Sequence, residues 1–81
     1  MHYVYILKSM EDSNKIYVGV TNNIERRLRQ HNITPTCAYT KSYAPWNMII
    51  YTAFRDQKKA FGFEKYLKSH AGKAFLKKHL I

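Results

Sequence analysis

The stretch IYVGVTNNIERRLRQHN, residues 16–32, decides how the chain is read. Its first six residues are β-branched or aromatic except for Gly19, the composition of a strand. Gly19 interrupts that strand, and a strand glycine often marks a bulge or the close approach of another group. Asn22 is a good N-cap, with Glu25 three residues later in a capping-box arrangement. A helix is expected over about 23–31, with Ile24 and Leu28 forming its inner stripe at i, i+4 spacing. Arg27 and His31 share the adjoining face, while Arg26 and Arg29 point elsewhere. A strand therefore runs into a helix within a few residues, and Tyr17, Gly19, Arg27 and His31 gather around the junction.

Working outward, HYVYILKS (2–9) reads as a partner strand, with Tyr3, Tyr5 and Leu7 on one face and Val4 and Ile6 on the other. MEDSN (10–14) supplies the turn of a hairpin. NITPTCAYTKSYAPW (32–46) holds both prolines and reads as a long loop. NMIIYTAF (47–54) is a third strand. Residues 56–70 form a helix capped by Asp56, with Ala60, Phe63 and Leu67 at helical spacing. Residues 72–81 form a short last helix, with Phe75, Leu76 and Leu80 inward and Lys77 and Lys78 outward. The order β-β-α-β-α-α gives an α+β fold class, a small three-stranded antiparallel or mixed sheet flanked by helices. The expected domain organisation is one domain over 1–81, since 81 residues leave no room for a second.

Composition narrows the partners. Fourteen Lys and Arg against five Asp and Glu give a net charge of +9, which favours polyanions, nucleic acid first. Affinity for such a partner should fall steeply with salt, with Lys58, Lys59, Lys65, Lys68, Lys73, Lys77 and Lys78 as candidate phosphate contacts. Cys37 is the single cysteine, so neither an intrachain disulfide nor a zinc cluster is expected, and a reducing cytoplasm is the natural compartment. The opening MHYVYILKS lacks the basic region and apolar length of a signal peptide, and no stretch approaches a membrane span. No membrane partner is expected.

Familiar catalytic signatures are missing. The three glycines are scattered, no His pair has zinc-ligand spacing on a helix, and no Gly-x-Ser-x-Gly elbow occurs. Of the five carboxylates, Glu11 and Asp12 sit in a turn, and Glu25 and Asp56 serve helix starts. Glu64 remains, mid-helix among Phe61, Phe63 and Leu67, where it either meets partial desolvation or pairs with Lys68 at i, i+4. Taken singly, Tyr5 and Tyr17 read as cross-strand packing. Arg27 reads singly as a solvated helix arginine, and His31 as a helix C-terminal histidine favoured in its charged form.

Together these residues carry more. YVY at 3–5, YVG at 17–19, the RR pair at 26–27, His31 and AFGFEKYLK at 60–68 closely resemble the GIY-YIG nuclease family, above all its small stand-alone bacterial members. The resemblance covers nearly the whole chain. It implies that Tyr5 ends the first tyrosine motif, that Tyr17 opens the second and that Gly19 closes it. Arg27, ten positions after Tyr17, matches the family arginine, His31 stands where the family has histidine or tyrosine, and Glu64 matches the single metal ligand. The sequence departs from the family pattern in reading Tyr-Val-Tyr for Gly-Ile-Tyr, in Val20 where some members have lysine, and in lacking a late asparagine after Glu64.

The implied activity is hydrolysis of a nucleic-acid phosphodiester, DNA favoured and RNA possible, with Mg²⁺ or Mn²⁺ on Glu64. DNA repair or recombination is the implied setting. Arg27 would clamp the phosphate, and Tyr17, Tyr5 or His31 would act as general base. Arg26, Lys65 and Lys68 are the nearest candidates for binding the nucleic-acid strand. All five functional side chains, Tyr5, Tyr17, Arg27, His31 and Glu64, should line one concave surface. The alternative is a binding module on the same fold that cuts weakly or not at all.

Overall fold

In the computed structural model, residues 1–33 and 38–81 are described, with the side chains of 38–40 left aside. The elements run β1 (His2–Ser9), β2 (Ile16–Thr21), α1 (Ile24–Asn32), α2 (Ala38–Tyr43), β3 (Trp46–Phe54), α3 (Gln57–Lys68) and α4 (His70–Phe75). A π-helical turn, Leu76–Leu80, follows α4. The three strands are antiparallel in the order β2-β1-β3, which resolves the antiparallel-or-mixed alternative.

β1 is central in the sheet and is packed on both faces, so Val4, Tyr5, Ile6 and Leu7 are all buried. The alternation of the strand then divides the interior in two. Val4 and Ile6 join Val18, Ala60, Leu67 and Leu76 on the α3–α4 side. Tyr5 and Leu7 join Trp46 on the other side, with Ile24, Leu28 and Tyr43 packed against them. Burial of each large aliphatic side chain contributes about 1.5–3 kcal/mol, so both clusters are needed in so short a chain. The β1–β3 register slips between Ile6, opposite Ile50, and Leu7, opposite Met48, leaving Ile49 as the extra residue.

Five local expectations need correction. The N-cap of α1 is Asn23 and not Asn22: its side chain accepts from the Arg26 amide. Thr21 Oγ1 accepts from the Asn23 amide at 3.1 Å, and this turn carries the strand exit one residue further before the helix can start. Glu25 thus falls too early for a capping box and serves the first turn as a negative charge. The expected loop over 32–46 contains α2, with Pro45 placed beyond its end, where proline stops a helix without forbidding one. Cys37 lies outside the described residues.

The last helix starts at His70 instead of Gly72, because Ser69 ends α3 and caps α4 by accepting from the Gly72 amide at 3.1 Å. Gly72 sits inside α4 for want of space: a Cβ there would collide with the Tyr66 carbonyl oxygen and reach 2.5 Å from Leu67 Cα. The helix also changes to π-helical geometry after Phe75, although Leu76 is buried and Lys77 and Lys78 are exposed as expected. Asp56 caps α3 as the sequence indicated, accepting from the Lys58 and Lys59 amides.

Two side chains tie the elements that hold the sheet in place. Ser9 Oγ donates to the Tyr43 carbonyl at 2.6 Å and accepts from the Glu11 and Asp12 amides, fixing the hairpin turn to the end of α2. At the end of α1, Asn32 Nδ2 donates to the Trp46 carbonyl at 3.0 Å, while its Oδ1 accepts from the Trp46 amide at 2.6 Å. The amide side chain thus substitutes for a β-ladder partner and locks α1 onto β3. Replacing Asn32 by alanine removes both of its bonds to the Trp46 backbone, so urea denaturation should show a loss of about 1–3 kcal/mol. An unchanged midpoint and slope would show that the clamp contributes nothing.

Candidate active site

The sheet brings Tyr5 and Tyr17 to one face, with ring centroids 6.2 Å apart. Gly19 pairs directly with Tyr5 across the two strands. A Cβ at position 19 would strike the Tyr5 hydroxyl and lie 2.6 Å from its Cζ. The glycine is therefore a matter of room, not of backbone conformation, since no glycine has positive φ. The strand interruption expected from sequence is the seat of the Tyr5 ring.

From α1 come the partners of that ring. Arg27 Nε donates to the Tyr5 hydroxyl at 3.1 Å, and His31 Nε2 lies 2.9 Å from the same oxygen. Since Arg27 donates, assigning His31 the Nδ1–H tautomer gives the phenolic hydrogen to Nε2 and links Arg27 through Tyr5 to His31. The His31 ring also packs on Tyr17, centroids 4.7 Å apart. Arg27 is fixed further by donating from Nη1 to Gln30 Oε1 at 3.1 Å. Gln30 has no role in the sequence reading, although its i, i+3 spacing from Arg27 was the available signal.

Burial sets the protonation states. Tyr5 has no exposure and His31 is 3 % exposed. Desolvation pushes the Tyr5 phenol up to about 12, outweighing the opposing hydrogen bond and charge of Arg27. Desolvation, with the Arg27 charge adding to it, pulls His31 down to about 4. Arg27 moves up, held charged first by its hydrogen bond to Tyr5. The expected charged helix-end histidine is thus a neutral, buried one. At neutral pH Tyr5 keeps its proton, Arg27 is a cation, and His31 is an uncharged acceptor.

Glu64 enters from α3, the helix that covers the opposite face of the sheet. Its carboxylate is half-buried and pairs with Lys68, Oε2 to Nζ at 3.0 Å, so the i, i+4 pairing read from spacing is present. Lys68 Nζ also lies 6.0 Å over the Tyr17 ring, and the Glu64 charge acts on Tyr5. The acid therefore reaches the tyrosine cluster at the edge formed by β2. Of the five side chains, Tyr5 and His31 are buried, and Tyr17, Arg27 and Glu64 are partly exposed. Arg26 is exposed and donates to Asn22 Oδ1 at 3.1 Å, and Lys65 is exposed on α3.

A family model described as the GIY-YIG catalytic domain matches residues 1–78. The chain belongs to the GIY-YIG family. It is 37 % identical over 68 residues to a UPF0213 protein of Clostridium perfringens, covering 84 % of this chain and 71 % of that protein. A structure-specific endonuclease subunit SLX1 homolog of Cryptosporidium parvum is 42 % identical over 67 residues, spanning 79 % of this chain but 16 % of that much longer protein. The solution NMR structure of a UPF0213 protein from Bacillus halodurans matches with a TM-score of 0.56 and 29 % identity, covering 95 % of this chain and 82 % of the other. Family, relatives and fold agree with the resemblance carried by the tyrosine motifs, and they support a nuclease.

Among the described residues no three His, Cys, Asp or Glu side chains form a cation cage. A lone carboxylate of this kind suits a hard cation that keeps most of its shell as water and phosphate oxygen. Glu64 has the donor type that such a cation takes.

The depressed His31 has a consequence for stability. Its folded value of about 4 lies below the unfolded 6.5, so between these limits the unfolded chain binds more protons. Stability should therefore be fully present above about pH 7 and fall as the pH drops through 6.5 towards 4, by an amount on the order of 3 kcal/mol. Urea denaturation across pH 4–7 checks this, and His31→Gln should flatten the slope. Equal slopes for the two proteins would contradict a neutral buried His31.

Proposed function

We propose that this protein is a divalent-metal-dependent endonuclease that hydrolyses a phosphodiester of nucleic acid, DNA in the first instance. The observation that carries the reading is the Tyr5 hydroxyl held between Arg27 and His31, beside a partly exposed Tyr17 whose ring lies under Lys68, the partner of Glu64. A cation bound by Glu64 would supply charge neutralisation at the phosphate and the leaving oxygen. The remaining chemistry belongs to the chain.

Hydrolysis joins a water oxygen to phosphorus, breaks the bond to the leaving sugar oxygen, and requires removal of the water proton. Tyr5 is a poor base, being buried and holding its proton up to about pH 12. Its hydroxyl instead aims the Arg27 guanidinium. His31 Nε2 is already occupied by Tyr5 and has no direct access to water. Tyr17 is the reachable group, in contact with the His31 ring and hydrogen-bonded to Arg27; as phenolate, its own hydroxyl proton having first passed to bulk water, it takes the proton of the attacking water. Arg27, planar and always charged, presents its remaining N–H groups to the phosphate, where they stabilise the charge that grows in the transition state.

Two substitutions test the assignment side by side, on duplex, branched and single-stranded DNA and on RNA. Glu64→Gln keeps the shape and removes the charge that holds a cation. It should abolish cutting while leaving nucleic-acid binding intact or tighter. Arg27→Ala should slow the single-turnover step by about 10²–10³ with a smaller effect on affinity. A folded Glu64→Gln protein that cuts at the wild-type rate contradicts the metal assignment. A wild type that binds but never cuts, with any divalent metal, makes the protein a binding module on this fold.

A further inference from the structure

Beside the tyrosine cluster lies a feature of different chemistry. A cavity of about 410 Å³ opens between β2, α3 and α4. Its floor is aliphatic, with Ile16, Val18 and Leu76, and its rim carries Lys68, Lys73 and Lys77. Lys68 is paired with Glu64, but among the described residues neither Lys73 nor Lys77 lies within ion-pair distance of a carboxylate. Ammonium groups around one hollow repel one another, and of the four lysines that line it, Lys15, Lys68, Lys73 and Lys77, Lys68 alone has a carboxylate partner among the described residues. An anion with an apolar body would satisfy both rim and floor. Lys68 joins this cavity to the candidate active site, since its ammonium group also stands over the Tyr17 ring.

We infer that this cavity is a subsite for an unpaired nucleotide of the strand next to the scissile phosphate, with phosphate on Lys73 and Lys77 and sugar and base over the aliphatic floor. The inference rests on the nucleic-acid reading above and adds to it a place and a strand state. The volume is of the order that takes a small organic ligand, which matches one nucleotide. A duplex keeps its bases stacked inside and has none to offer to the floor. Lysines hold phosphates as point charges without reading sequence, so the subsite positions the strand and does not select it.

The test compares two charge-removing double variants in metal-free buffer, so that binding is read without cutting. Lys73→Gln with Lys77→Gln empties the rim, and Lys58→Gln with Lys59→Gln removes the same charge from the exposed start of α3. The first pair should weaken binding of a short single-stranded oligonucleotide about tenfold at low salt and reduce its log–log salt slope by roughly 0.7, the share of one phosphate. The control pair should cost about threefold or less, and duplex binding should be less affected by the first pair than single-strand binding. In the wild type, the methyl resonances of Val18 and Leu76 should shift with the single strand and not with the duplex.

Equal losses for the two pairs, equal losses on duplex and single strand, or unmoved methyl resonances would overturn the subsite. A wild type that cuts, beside a Lys73–Lys77 variant that binds like wild type, removes the subsite and leaves the nuclease reading. A wild type that never cuts but shows the differences above keeps the nucleotide site and removes the nuclease.

Discussion

A phenol hydroxyl without access to water sits on the central strand of this protein, and it has to be satisfied from within. An unpaired buried hydroxyl would cost about 1–3 kcal/mol, a large share of the stability of so small a domain. Tyr5 meets the requirement by accepting from Arg27 and donating to His31. That demand fixes where α1 lies, because both partners stand on one face of that helix, one turn apart. It fixes residue 19 as glycine, because the Tyr5 ring occupies the space a Cβ would need. It also keeps His31 uncharged, since the ring is buried beside the Arg27 cation.

The same network holds a cation against a partly apolar wall. Arg27 spends Nε on Tyr5 and Nη1 on Gln30, and a hydrogen bond with Tyr17 adds a third restraint. A lysine, with one point charge on a flexible stem, could not be aimed this way. The two cores on either side of the sheet keep the arrangement rigid, and Asn32 holds the far end of α1 to the buried Trp46. Glu64 arrives from the opposite core, so the site is assembled only when both faces of β1 are packed.

Much of this is legible in the sequence. Strand alternation in HYVYILKS divides the side chains as the two cores do, and the tyrosine motifs point to the family to which the chain belongs. Features that depend on tertiary contact were not legible. The cap of α1 shifts by one residue because Thr21 makes a local turn, and Gly72 lies inside a helix because another helix presses on it. Spacing places Arg27 and His31 together but gives no depth, so it cannot tell a solvated histidine from a buried acceptor. Gln30 and Asn32 look like ordinary polar helix residues until their partners, Arg27 and the Trp46 backbone, are in view.

The most direct measurement is the cleavage rate of Tyr5→Phe, in which the ring still fills the space over Gly19 and only the hydroxyl is lost. If that hydroxyl organises Arg27 and His31 for phosphodiester hydrolysis, single-turnover cutting should fall by about 10²–10³ in a protein whose amide spectrum shows the fold intact. A folded Tyr5→Phe protein that cuts at the wild-type rate would contradict the account.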